Sequence, residues 1–312
     1  MIISASRRTD IPNYYAPWFF HRIREGYALV RNPMRLHQVS RIDLRPEAVD
    51  GIVFWTKNPL PMQRGLQLLR QYTYYFQFTL TAYGTDVEPN LPDKSASLIP
   101  AFLELAQMLG PERVIWRYDP IFLSETYTYA YHVEAFAALA ARLHTFTTTC
   151  VISFMDDYRG MAKRMAALRL RPFQPERQAQ LAAALAKTAR RYDIQLETCA
   201  ENIDLARYGI QPARCVDNRR FAKLLGRPLP AAKDRNQRPA CGCVASVDIG
   251  AYHTCRNGCL YCYANHSARL LASRTAAHDP RAPLLIGRLG PDDVVTERQA
   301  GAGKAAQLSL PL

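Results

Sequence analysis

Acidic residues are scarce in this chain. Of its 312 residues, 27 are Asp or Glu and 40 are Lys or Arg, a formal charge of +13. Such an imbalance points to a polyanionic partner, with a merely solvated basic surface as the plainer alternative. There is no basic low-complexity tail. The arginines are dispersed, with short clusters at Arg7-Arg8, Arg190-Arg191 and Arg219-Arg220. Long apolar runs are missing too: none approaches the ~20 residues of a membrane span, so no membrane partner is expected. The opening Met1-Ile2-Ile3-Ser4-Ala5-Ser6 is too short and uncharged for a leader. Eight cysteines without a leader argue against a secreted disulfide framework. The expectation is a cytoplasmic monomer that keeps its thiols for metal. The seven histidines lack metal-ligand spacing; His253 and His266 flank the cysteine run described next and read as supporting or surface groups.

That run is Cys255-Arg256-Asn257-Gly258-Cys259-Leu260-Tyr261-Cys262-Tyr263. A zinc knot normally supplies four ligands, often as two Cys-x-x-Cys pairs, and fits this run poorly. Three thiolates at this spacing on one tight loop can each ligate one iron of a cubane cluster and leave the fourth iron open. The run resembles the signature of the radical S-adenosylmethionine (SAM) superfamily. The resemblance implies a [4Fe–4S] cluster on Cys255, Cys259 and Cys262, with SAM chelating the open iron. It also implies a low-potential electron donor, whose electron cleaves SAM to methionine and a 5′-deoxyadenosyl radical. Whether the enzyme would be a lyase or a transferase stays open.

Apolar runs at Ile2–Ser6, Tyr27–Arg31, Gly51–Thr56, Tyr74–Thr81, Arg113–Tyr118, Cys150–Phe154, Ile194–Thr198 and Val244–Ile249 read as strands. Ala101–Leu109, Tyr131–His144, Pro175–Tyr192 and Asn265–Ala277 read as helices. The alternation predicts an α/β fold with a parallel sheet, a (β/α) barrel closed or partly open. Strand, cysteine loop and helix follow one another as in the first unit of a radical SAM barrel, yet here they come last. The barrel is therefore expected to be circularly permuted, spanning 1–290 with its cluster loop at 241–265. The runs Ile52-Val53-Phe54-Trp55-Thr56-Lys57-Asn58-Pro59, Phe78-Thr79-Leu80-Thr81 with Glu88-Pro89, and Trp116-Arg117-Tyr118-Asp119-Pro120-Ile121 resemble strand ends of the spore photoproduct lyase group. Over nearly its whole length the chain resembles the DUF1848 proteins, through Ser6-Arg7-Arg8-Thr9-Asp10-Ile11-Pro12 and the C-terminal cysteine cluster.

Four further cysteines, Cys199, Cys215, Cys241 and Cys243, make up the number that closes all corners of a second [4Fe–4S] cluster. A structural zinc site is the alternative, and free thiols the remaining one. Cys150 opens an apolar strand and reads as core. Polar residues at predicted strand ends are Arg7, Arg8, Asp10, Lys57, Asn58, Glu88, Arg117, Asp119, Ser153, Asp156, Glu197, Glu201 and Asn202. Among them and the loop, Tyr252, Lys57 and Asp119 are the catalytic candidates. Tyr261, Asp248, Arg117, Ser153 and Glu197 are the candidates for holding SAM. Tyr252 and Tyr263 flank the loop and suit packing as well as chemistry, and Asp119 before Pro120 suits a plain turn cap.

After Pro291 the pattern stops, and 291–312 reads as a flexible tail. It ends in Gln307-Leu308-Ser309-Leu310-Pro311-Leu312, which resembles the short peptides that dock bacterial repair proteins on the DNA sliding clamp. The resemblance implies Gln307 as polar anchor and Leu308, Leu310 and Leu312 as apolar plugs. Cluster, basic body and tail together suggest a radical SAM enzyme that repairs DNA, with the target base extruded toward the barrel mouth. A radical SAM enzyme for a small metabolite or peptide, and a non-catalytic iron–sulfur redox protein, are the other readings.

Overall fold

Runs rich in β-branched and aromatic residues form a sheet covered on both faces. The structure is a computed structural model and describes residues 1–156 and 162–298. Its strands are β1 (Ile2–Ala5), β2 (Tyr27–Arg31), β3 (Gln38–Asp43), β4 (Gly51–Thr56), β5 (Tyr74–Thr79), β6 (Val114–Ile121), β7 (Thr149–Phe154), β8 (Gln195–Thr198), β9 (Gln211–Pro212), β10 (Val247–Asp248) and β11 (Val294–Arg298). Eight of them form one sheet in the order β10-β1-β4-β5-β6-β7-β8-β9. Every pairing in it is parallel. From β1 to β9 the order follows the chain with no reversal, and β10 returns to lie against β1, with Ser4 opposite Asp248.

Parallel neighbours need long crossovers. The helices Ile99–Leu109, Tyr129–Leu143 and Pro175–Arg191 supply three of them. Their buried residues Phe102, Leu105, Phe136, Leu139, Leu181 and Leu185 pack on one face of the sheet, against Phe54, Phe76, Trp116 and Ile152. The alternate strand residues Val53, Tyr75, Ile115 and Val151 point the other way and meet Phe221, Val216 and Cys215. One face thus carries the long helices, and the other is filled by a segment folded in from 213–244. Phe221, on the short helix Asn218–Leu225, is that segment's plug. A Cβ on Gly51 would stand 2.1 Å from its ring, which is why a glycine is required there.

Strands Gln38–Asp43 and Gln211–Pro212 and the helix Ala16–Glu25 are absent from the sequence reading, and four of the expected stretches differ. Tyr27–Arg31 leaves the main sheet and pairs antiparallel with Gln38–Asp43, because the connection between them is too short for a parallel crossover. The strand expected over Val244–Ile249 is only Val247–Asp248. Val244 turns aside, its N–H donating to Val216 O at 3.1 Å. The helix expected from Asn265 starts at Ala268, where Ser267 caps it. Past Pro291, within the stretch read as a flexible tail, Val294–Arg298 adds a parallel strand to β3.

The helical face also holds a buried histidine. His132 is fully buried; its Nε2 donates to Phe122 O at 2.8 Å, so its Nδ1 accepts from the Tyr118 hydroxyl at 2.9 Å. Burial lowers its pKa from the ordinary 6.5 to about 4. The unfolded chain therefore takes up this proton at higher pH than the native one, so His132 stabilises the fold above pH 6.5. That contribution is lost as the pH falls toward 4. Between pH 7 and pH 5 the loss is about 2 kcal/mol. Denaturant titrations of wild type and His132→Gln at the two pH values should show a steeper decline in wild type; parallel declines would refute this.

Candidate functional site

Asp248 ends β10, and the cysteine run follows it. Its carboxylate accepts from Ser4 Oγ at 2.8 Å, Ser6 Oγ at 2.5 Å, Arg7 N at 2.8 Å and Gly250 N at 3.0 Å. These four donors occupy the acceptor positions of a carboxylate. Asp248, one of the residues expected to hold SAM, therefore ties β10 to the end of β1. Gly250 is bare because a Cβ would stand 2.1 Å from Ser6 Oγ.

The loop is then fixed residue by residue. Tyr15 OH donates to Thr254 O at 2.6 Å. Tyr14 OH and Asn13 Nδ2 donate to Asn257 Oδ1 at 2.8 and 3.0 Å, and Asn257 Nδ2 donates to Asp10 Oδ2 at 3.1 Å. Asn90 Nδ2 donates to Arg256 O at 2.8 Å and Leu260 N to Val87 O at 3.0 Å. Gly258 has a φ of +73°, which favours glycine, and a Cβ there would crowd Asn90 Nδ2 at 2.8 Å. Cys255, Cys259 and Cys262 are carried on this loop, the first two buried and the third half-buried. Burial pushes the Cys259 thiol up to about 12 although Lys57 opposes the shift, and Cys255 is raised by burial and by the charges of Asp10, Cys262 and Cys259. Three soft donors that oppose one another's ionisation suit a metal centre, whose cationic charge would offset three thiolates. Two nearby polar atoms, Thr9 Oγ1 and His253 Nδ1, are buried without a hydrogen-bond partner. The rings of His253 and His266 pack at 4.1 Å.

Beside the loop lies a charged knot. Glu88 binds Lys57 Nζ at 2.7 Å and Lys94 Nζ at 2.5 Å, and accepts from Thr81 Oγ1 at 2.9 Å and from the Tyr261 hydroxyl. Burial would raise the Glu88 carboxyl, but the two ammonium groups outweigh it and hold the pKa at about 2. Lys57 Nζ also lies 5.4 Å from the Tyr261 ring centre. Lys57 and Tyr261, two of the expected site residues, are thus brought together next to Cys259. Asp10, which also accepts from Lys57 N at 2.9 Å, and Asn58, bound to Asn13 at 3.0 Å, support the same corner.

Arg117 and Asp119 pair through two bonds of 2.9 and 2.6 Å, and Ser153 Oγ reaches Asp119 at 3.3 Å. Arg117 Nη1 donates to Cys215 Sγ at 2.9 Å, so this trio borders the second cysteine set. Cys215 Sγ lies 3.3 Å from Cys199 Sγ, and the Cys243 thiol lies in the field of both Cys215 and Cys241. All four thiols lie in or against the core layer opposite the long helices. Cys150 is a buried core residue on the helical face, as read.

Other expected residues make contacts of their own. Glu197, a SAM-binding candidate, sits among the charges of Arg220, Asp217 and Arg219 around the plug helix. Tyr252 stacks under the Arg8 guanidinium at 5.3 Å, and Tyr263 OH donates to Arg7 O at 2.9 Å. Asp156 pairs with Arg238. Glu201 accepts from Phe154 N at 2.8 Å, and Asn202 is exposed. The tail residues Gln307, Leu308, Leu310 and Leu312 lie outside the described residues. Sequence reasoning missed Asn257, Lys94 and Asn13. Asn257 stands inside the cysteine run, the one signal that could have marked it. Lys94 carries none, because its role depends on a carboxylate that only the fold brings near.

The profile of a family described as a domain of unknown function, DUF1848, matches residues 2–264. No curated protein matches the chain. Among solved structures, a Bacteroides thetaiotaomicron protein proposed to be an alpha-L-fucosidase is 12% identical. That match covers 59% of this chain and 76% of the other, with a TM-score of 0.28, and carries no argument.

Proposed function

We propose that this chain, which belongs to the DUF1848 family, is a radical SAM iron–sulfur enzyme on a permuted (β/α) barrel, acting on DNA. The observation that carries the reading is the loop of Cys255, Cys259 and Cys262, pinned past the carboxyl end of β10 in an all-parallel sheet. A consecutive strand order with long helices on one face suits a barrel better than a doubly wound sheet, whose order reverses. A cluster on these thiolates, with SAM, would supply one-electron cleavage to a 5′-deoxyadenosyl radical.

The chain's own side chains would prepare the place for it. Tyr83, Val87, Phe122, Tyr127 and Leu168 cluster with Cys259 and Tyr261 and keep water from that side of the loop. Glu88 stays ionised between its two lysines and fixes the Tyr261 hydroxyl. Arg117 and Asp119 present a paired cation and carboxylate whose field reaches both Lys57 and Cys199. A DNA substrate is supported by the +13 charge and by a cavity of about 500 Å³ beside Asp248, lined by Arg8, Arg31, Arg35 and Arg298. The terminal hexapeptide would add docking on the sliding clamp, holding the basic body near its substrate by effective concentration.

Anaerobic reconstitution with a strong reductant tests the reading. Wild type should release 5′-deoxyadenosine from SAM, and lesion-bearing DNA should raise the yield or be altered itself. Loss of residues 307–312 should leave SAM cleavage intact and remove clamp binding. No 5′-deoxyadenosine from iron-loaded protein refutes the enzyme; indifference to every DNA tested refutes the substrate.

A further inference from the structure

We propose that Cys199, Cys215, Cys241 and Cys243 bind a single thiophilic divalent metal ion in a tetrahedral site separate from the cysteine loop. The four come from three stretches of chain. Cys199 follows β8, Cys215 follows β9, and Cys241 and Cys243 flank Gly242 in an irregular stretch. Gly242 lets that stretch approach, since a Cβ there would stand 3.0 Å from Ala213 O. Such convergence of thiols widely separated in sequence has no packing requirement behind it; apolar side chains would fill the same layer.

The spacing selects the kind of centre. An ion with metal–sulfur bonds of ~2.3 Å holds its thiolates about 3.8 Å apart along a tetrahedral edge. Cys199 and Cys215 are 3.3 Å apart, so about half an ångström of opening suffices. Among the described residues no three such donors already surround an ion position, so the thiols would have to close on the ion as it binds. Thiolates on two irons of a cubane stand farther apart than this pair, and the expected second cluster would force the site open.

The surroundings fit a bound ion rather than a disulfide. Four thiolates on a divalent ion carry two net negative charges. Arg117 donates to Cys215 Sγ at 2.9 Å, Val216 N to Cys243 Sγ at 3.4 Å, and Arg7 lies in the field of Cys243. These donors stabilise ligating sulfur. A Cys199–Cys215 disulfide would use two thiols, leave Cys241 and Cys243 over, and give the arginines no charge to balance. The ion would join the β8–β9 end of the sheet to the 213–244 segment, which has little regular structure of its own. It would also seat Arg117, and through it Asp119.

The test uses the full chain carrying Cys255→Ala, Cys259→Ala and Cys262→Ala, so the first site contributes no metal and the result is independent of SAM chemistry. The purified protein should contain about one zinc or iron per chain. Exchange with Co²⁺ alone should give the intense ligand-field bands of a tetrahedral thiolate site. Adding Cys199→Ser or Cys243→Ser should remove them. If those variants fail to fold, chelation and Zn²⁺ return to the parent should lower and then restore its melting temperature. Four irons with sulfide, weak octahedral bands, no bound Co²⁺, or a Cys199–Cys215 disulfide in protein prepared without air would each overturn the proposal.

Discussion

Cys255→Ala combined with Cys259→Ala and Cys262→Ala should bring 5′-deoxyadenosine release to background while leaving the fold in place. The two halves of that expectation have different causes. The loop does not depend on its thiols for shape. Asn257, Asn90, Tyr14 and Tyr15 hold it by hydrogen bonds, and Asp248 anchors the strand before it. Thermal unfolding should therefore stay a single transition. The thiols would have a different task, to hold iron, and iron bound at this loop should vanish with them. Any turnover by the triple variant above a no-protein control would remove these cysteines from the chemistry. Retained iron of the same spectral type would do so too.

Glu88→Ala should cost about 3 kcal/mol of stability, because it leaves two largely buried ammonium groups without the carboxylate both of them reach. Lys57 and Lys94 have side chains only 12% and 20% exposed, and both reach the same carboxylate. Glu88→Gln keeps the shape but not the charge and should fall nearly as far. Replacing the knot as a unit, Glu88→Leu with Lys57→Met and Lys94→Met, should recover most of the loss, since no charge is then stranded. Denaturant midpoints of the three proteins decide it. A loss below about 1 kcal/mol for Glu88→Ala would mean that water reaches the lysines and the knot is a surface feature. The same variants bear on the loop: Glu88 fixes the Tyr261 hydroxyl beside Cys259, so Glu88→Ala should also hold iron less tightly.

Particular residues show why some of this was legible in one dimension and some was not. Gly51–Thr56 was read to the residue because a run buried on both faces is a strand on pattern alone. Val244–Ile249 looked equally apolar, yet Val244 and Val216 pair outside the sheet and shorten the strand. Asp248 carried the right residue type for a ligand at a strand end. Its four donors come from β1 and the turn after it and from Gly250, and no sequence pattern announces them.

By itself, the sequence determined the parallel α/β class, the three-cysteine spacing and the basic charge, because periodicity, loop spacing and composition are local properties. Tertiary structure alone decided the rest. It placed β10 against β1, which brings Asp10 and Lys57 to a loop some two hundred residues away along the chain. It set Glu88 between two lysines, and it drew Cys199 and Cys215 to 3.3 Å. Contacts of that kind depend on which strands pair and which face each residue takes, and both are fixed only when the whole sheet closes its core.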